Sequence, residues 1–101
     1  MFGDVKMQQT IESGIVKDKL MSGSPRIAGT RIRVRDIVEK HIVMNEPPAI
    51  IAREFDISMS NVHEALSYYY EHIEDVREEI RKDREFVEKF RKEHKHEILS
   101  R

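Results

Sequence analysis

Four arginines cluster in the first third of the chain: Arg26, Arg31, Arg33 and Arg35. A guanidinium is a rigid fork of donors that fits a phosphate or a carboxylate with two parallel hydrogen bonds. The cluster therefore suits nucleic-acid phosphates or acidic groups of a protein. Arg33 and Arg35 lie on the opposite side from Ile32 and Val34 in a period-2 pattern. That makes them candidates for phosphate or for an acidic partner surface.

A second group, Ser58, Ser60, Asn61 and His63, falls where a helix is expected to begin. Asparagine can read adenine in a major groove, and serine can bind phosphate or base edges. Phosphate contacts dominate affinity for DNA, yet this helix start carries no Arg or Lys. Arg53 is the nearest cation, so the strand-region arginines would have to supply the rest of the charge.

Other chemistries find less support. The 5 histidines are scattered, and there is no cysteine. His94 and His96 are two apart, which suits a helical metal pair poorly, so no metal and no cofactor is expected. No nucleophile elbow, phosphate-cradling glycine loop or plausible triad occurs, so an enzyme is not expected. Tyr68, Tyr69 and Tyr70 cannot all face one way on a helix. Tyr69 is expected in the core, with Tyr68 or Tyr70 at an interface.

The elements that must position these residues follow from composition and pattern. The chain has 101 residues, of which 39% are hydrophobic and 37% charged. Globular averages are about 45–50% and 25%, so core material is short. The net charge of −1 hides an uneven distribution. Residues 17–40 carry seven bases and three acids, net +4, whereas residues 41–70 carry one base and four acids, net −3. No apolar run reaches the ~18 residues of a membrane span. The start, MFGDVKMQQT, lacks the pattern of a signal peptide. A cytoplasmic binding module is expected.

The basic segment reads as two or three short strands, from Ile15-Val16 through Ile27 to the alternating Arg31–Arg35 stretch. From about Val34 or Arg35 a helix follows, with Ile37, Val38, His41, Ile42 and Met44 on one face and Asn45 as its stop. Pro47-Pro48 opens the next helix, which ends near Asp56. Ser58 and Ser60 are N-cap candidates for a third, whose inner face is Val62, Ala65, Leu66 and Tyr69, with Tyr70 as a further candidate. A heptad stripe then runs through Leu66, Tyr69, Ile73, Val76, Ile80, Val87 and Phe90, broken at Asp83. One helix over residues 59–96 would be roughly 57 Å long, so it must break near His72 or project toward a partner.

The stretch PPAIIAREFDISMSNVHEALSYY has the logic of a helix-turn-helix. Ala52 is the small residue where two helices would touch, and Asp56 occupies the turn. Gly is often preferred there because φ > 0 can be required, and Asp tolerates that conformation better than most residues. Ile51, Phe55, Ile57, Val62 and Ala65 are its inner anchors.

The stretch GSPRIAGTRIRV, residues 23–34, resembles the G-x-P-x-I-x-G-T-R-I-x-V signature of the domain of unknown function 433 family. The resemblance runs from about Ile15 to Tyr70. The family's usual Gly-Gly before the motif is replaced by Met21-Ser22-Gly23-Ser24. The resemblance implies a homeodomain-like helical core preceded by short strands. It also implies a VapB-type antitoxin role: binding operator DNA and pairing with a PIN-like ribonuclease toxin. Within the motif, Gly29 permits a turn that a Cβ would obstruct. Thr30 can bond its hydroxyl to the turn's backbone. Arg31 suits a partly buried clamp on a carboxylate or a helix C-terminus.

The fold expected is mainly α: a homeodomain-like helix-turn-helix domain with a short N-terminal β element over residues 1–72, and a charged C-terminal helix over 73–101. DNA contact is expected from Arg26, Arg33, Arg35, Arg53, Ser58, Ser60, Asn61 and His63. Toxin contact is expected from Ile80, Arg84, Phe86, Val87, Phe90 and Arg91. Gly29, Thr30 and Arg31 are expected to be structural. A homodimer is expected, because paired half-sites supply the affinity one recognition helix lacks. The alternative is a protein-interaction module or dimeric adaptor without DNA binding.

Overall fold

The computed structural model describes residues 10–12, by their backbone, and residues 14–94. The protein is mainly helical, with a small antiparallel sheet near its N-terminus and a long C-terminal helix. Strands β1 (Thr10–Glu12), β2 (Ile15–Lys17) and β3 (Arg26–Ile27) form a sheet in the order β1-β2-β3. Ile15 opposes Ile27 across β2 and β3, and both are fully buried in the core. A sheet this small is stable only when packed. Helix α3 (Met59–Glu71) provides the packing, through contacts with both β2 and β3.

The alternation Arg31-Ile32-Arg33-Val34-Arg35 does not form the expected strand. Only Arg33 pairs, by a single bridge to Arg26. Val34 already begins helix α1 (Val34–Val38). The reason is local: Asp36 accepts from the backbone N–H of Arg33 at 2.9 Å. That is the arrangement of a helix start, and it competes with extension of the strand.

After α1 the chain widens into a π-helical turn, Glu39–Val43. The extra residue per turn rotates the apolar pattern off the core. Ile42 and Met44, expected inside, are therefore exposed, and so is Val43. Asn45 stops the helix as expected, in the left-handed conformation at φ 62°.

Helix α2 (Pro48–Phe55) opens on Pro48 and ends at Asp56, left-handed at φ 56° and ψ 49°. Three residues join α2 to α3. Ser58 caps α3, its hydroxyl accepting from the Asn61 N–H at 3.0 Å. The core gathers Val34, Ile37, Val38, Ile51, Ala52, Val62, Ala65, Leu66 and Tyr69 with the two strand isoleucines. Tyr68 is buried as well, whereas Tyr70 is exposed.

The helix breaks at His72 (φ −133°, ψ 42°), and α4 (Ile73–Glu93) begins immediately after it. Val76 is fully buried, and Ile73 and Ile80 pack against the core. Glu79 fixes α4 to the body by accepting from Ser24 Oγ and pairing with Arg35. Beyond that point residues 81–93 are all exposed. They form an arm of roughly 20 Å at ~1.5 Å per residue.

Candidate functional site

The arginine cluster is largely committed to carboxylates of the same chain. Arg26 is only 8% exposed. Its Nη2 lies 2.9 Å from Asp18 Oδ2, and its Nη1 donates to the Thr30 carbonyl at 3.1 Å. Arg26, expected at a phosphate, is thus a clamp that closes the loop between β3 and α1. The clamp expected of Arg31 is therefore made by Arg26, while Arg31 is exposed and in no ion pair among the described residues.

Arg33 forms a two-pronged contact with Asp36, with Nε and Nη2 each 3.1 Å from a carboxylate oxygen. The same carboxylate holds the guanidinium pKa above its ordinary value. Arg35 reaches α4, 3.5 Å from Glu79 and 3.7 Å from Asp83. Asp83, the residue that breaks the heptad stripe, is thereby explained as the counter-charge of Arg35. Asp18 and Asp36 are already counted in the +4 of the basic segment, so only Arg35 and Lys40 reduce it, by meeting carboxylates from outside the segment.

The motif's other residues behave as their chemistry suggests. Gly29 turns at φ +79° with open space where a Cβ would stand, so conformation rather than crowding selects glycine. Thr30 Oγ1 donates to the Ile27 carbonyl at 2.8 Å and accepts from the Ile32 N–H at 3.0 Å. Just before the motif, Met21 and Ser22 are both left-handed, at φ 56° and 59°, followed by Gly23 at 80°.

The start of α3 is exposed at Ser58, Ser60 and His63. Asn61 is engaged locally. Its Oδ1 accepts from the Ser58 hydroxyl at 2.8 Å, and its Nδ2 approaches Glu64 at 3.4 Å. An amide used this way does not present both edges to an adenine. Arg53 is exposed on α2. Among the described residues Arg31 and Arg53, like Lys17 and Lys19, are exposed cations outside the ion pairs above.

The arm bears large apolar side chains in solvent. Phe86, Val87 and Phe90 are 67%, 45% and 50% exposed. Phe90 stacks on His94 with ring centroids 4.0 Å apart. Arg91 is exposed, and Arg84 pairs loosely with Glu39 at 3.7 Å. Ile80, expected at a partner, is half-buried against the protein's own core. Alongside α4 runs a groove of about 500 Å³, floored by Val38, Ile42, Tyr69 and Ile80. Reading Ile42 onto a buried helix face hid this groove in the sequence. The consecutive run Ile42-Val43-Met44 was the available signal, since three adjacent residues cannot share one helix face.

Near α2, Lys40 lies 3.1 Å from Glu54 and 3.7 Å from Glu46. The two carboxylates adjoin. The neighbouring Glu54 pushes the Glu46 pKa above the ordinary carboxylate value, while Glu46 and Lys40 hold that of Glu54 below it. Among the described residues no three His, Asp or Glu side chains group to hold a metal ion. None of the described helices is long and apolar enough to cross a membrane.

A family model described as a protein of unknown function (DUF433) matches residues 15–69. That span covers β2, β3, the motif, α1, α2 and most of α3, and leaves out β1 and α4. No curated protein and no solved structure shows a significant match.

Proposed function

The chain belongs to the DUF433 family, and on the geometry above we propose that it works by binding another protein through the exposed end of α4. The observation that carries this is the arm: residues 81–93 all exposed, bearing Phe86, Val87 and Phe90. Large aromatic side chains left in water are the usual anchors of an interface. A helix of this length is marginal in water alone, so a surface that buries its apolar side has stabilisation to gain. The resemblance of the motif supplies the kind of partner: a PIN-like ribonuclease, with this chain as its VapB-type antitoxin.

The test is co-expression with a PIN-like ribonuclease encoded beside this gene. The intact chain is expected to relieve growth arrest and to co-purify with the enzyme. A Phe86→Ser/Phe90→Ser variant is expected to do neither. Relief by that variant equal to the parent's would remove the reading.

Operator binding is the second reading. The three-residue turn, the left-handed Asp56 and the exposed face of α3 favour it. The charge available is small, because Arg26, Arg33 and Arg35 are paired internally. Arg31 and Arg53 remain, with Lys17 and Lys19. Binding that is weak and lost at moderate salt is expected in a gel shift with upstream DNA.

A further inference from the structure

We infer that Met21 and Ser22 belong to the surface that grips the arm's protein partner, so that the partner spans the end of α4 and a cleft at its base. This rests on the binding proposed above and adds a second contact to it. Met21 and Ser22 are left-handed at φ 56° and 59°, directly before Gly23 at φ 80°. A Cβ makes that conformation costly, whereas glycine adopts it freely. Core packing does not offset the cost: Met21 is half-buried and stands outside the core, and Ser22 is exposed. Local strain that the body of the protein does not use is the mark of a functional surface.

Both residues line a cleft of about 340 Å³ between this turn and α4, and Glu79, Lys82 and Asp83 form its α4 wall. At about 100° per residue, those three positions share one side of α4 with Phe86 and Phe90. Lys82 and Phe86 are a single turn apart, roughly 6 Å along the axis. The wall of the cleft therefore runs on directly into the apolar stripe of the arm. A partner seated on Phe86 and Phe90 overhangs the cleft, where Met21 offers it a third apolar anchor.

Charge defines what the partner brings. Glu79 and Asp83 are turned onto Arg35, at 3.5 and 3.7 Å, and Arg33 is held by Asp36. Lys82 is held least: its side chain is 70% exposed and lies 3.9 Å from Glu78. Further along this side, Lys89 and Glu93 flank the phenylalanines with opposite charges. The matching surface is an apolar groove that takes Phe86, Phe90 and Met21, with a carboxylate at the end that meets Lys82.

Titration of the full chain with the PIN-like ribonuclease encoded beside it, run alongside urea unfolding, separates this contact from the arm. Met21→Gly/Ser22→Gly is expected to bind roughly tenfold more weakly while unfolding at a higher urea concentration than the parent. A turn with a structural role alone would gain stability and keep its affinity. Met21→Ala keeps the Cβ and removes the anchor, so it is expected to bind about fivefold more weakly, with Met21→Leu within about twofold of the parent. Lys82→Glu is expected to lose about fivefold or more. Parent-like affinity in both Met21→Gly/Ser22→Gly and Met21→Ala overturns the inference; the arm's own role stands if Phe86→Ser/Phe90→Ser still loses the complex. Equal losses for Met21→Leu and Met21→Ala overturn it too, since no apolar anchor is then being read. A parent chain that forms no complex removes the arm's role and this contact together.

Discussion

Replacing Arg26 by Met separates a buried clamp from a surface arginine. The side chain is almost fully buried and holds both Asp18 and the Thr30 carbonyl. Removing one partner of a buried ion pair costs about 3–5 kcal/mol, because the other charge is left uncompensated. Two observations lower that figure. The Asp18 side chain is 20% exposed, so water can rehydrate it. The Arg26 Nε is buried without a hydrogen-bond partner, a cost the substitution relieves. Together these bring the expected loss to about 2–4 kcal/mol. For a domain of about 100 residues each kcal/mol moves Tm by ~4–8 °C, so a drop of roughly 10–25 °C follows. Urea unfolding of the two variants provides the assay. Arg31→Met, at an exposed residue, is expected within about 0.5 kcal/mol of the parent. Equal losses for the two variants, or a loss below ~1 kcal/mol for Arg26→Met, would refute the clamp.

Met21→Gly and Ser22→Gly should each stabilise the protein by up to ~1 kcal/mol in urea melts, since both residues are left-handed; destabilisation would mean the side chains do more than occupy the turn. Ser58→Ala should cost about 1 kcal/mol through loss of the α3 cap, read by thermal unfolding. The raised Glu46 pKa means the folded state binds a proton there more readily than the unfolded chain, so that contribution to stability is lost as pH rises through it. The lowered Glu54 pKa has the opposite sign: its contribution is present at neutral pH and lost as pH falls through the folded value. Carboxyl NMR titrations should therefore place the Glu46 midpoint above, and the Glu54 midpoint below, the ordinary carboxylate range, and Glu46→Gln should raise Tm at pH 7 while Glu54→Gln lowers it. If DNA is bound, Arg31→Ala and Arg53→Ala should each reduce the log–log salt slope by about 1, whereas Arg26→Met should act only through stability.

The sequence showed most clearly where local chemistry decides structure. Pro47-Pro48 opens α2, Asp56 turns it, Ser58 caps α3, and the inner faces of both helices fall as their periodicity requires. Length left two outcomes open, a break near His72 or a helix projecting toward a partner, and the structure has the break. Three features were not legible, each for a physical reason. Alternation over five residues suggested a strand at Arg31–Arg35, but the Asp36 carboxylate starts a helix there. The π-helical turn changes the helical period without changing composition, so it rotated Ile42 and Met44 into solvent unseen. The pairing of arginines with carboxylates depends on long-range packing. Glu79 and Asp83 lie far from Arg35 in sequence, and only the fold brings them to it. The candidate site narrowed accordingly, from the arginines, the start of α3 and the C-terminal helix together to the exposed arm and the groove beside it.

Calorimetric titration of the full chain with a PIN-like ribonuclease encoded beside it tests the central claim most directly. Two well-exposed aromatic anchors at an interface are worth about 2 kcal/mol or more each, and every ~1.4 kcal/mol is tenfold in affinity. The account predicts tight binding that falls at least a hundredfold for Phe86→Ser/Phe90→Ser, with Tm unchanged because both residues stand clear of the core. No complex with the parent chain, or the same affinity for the double variant, would contradict it.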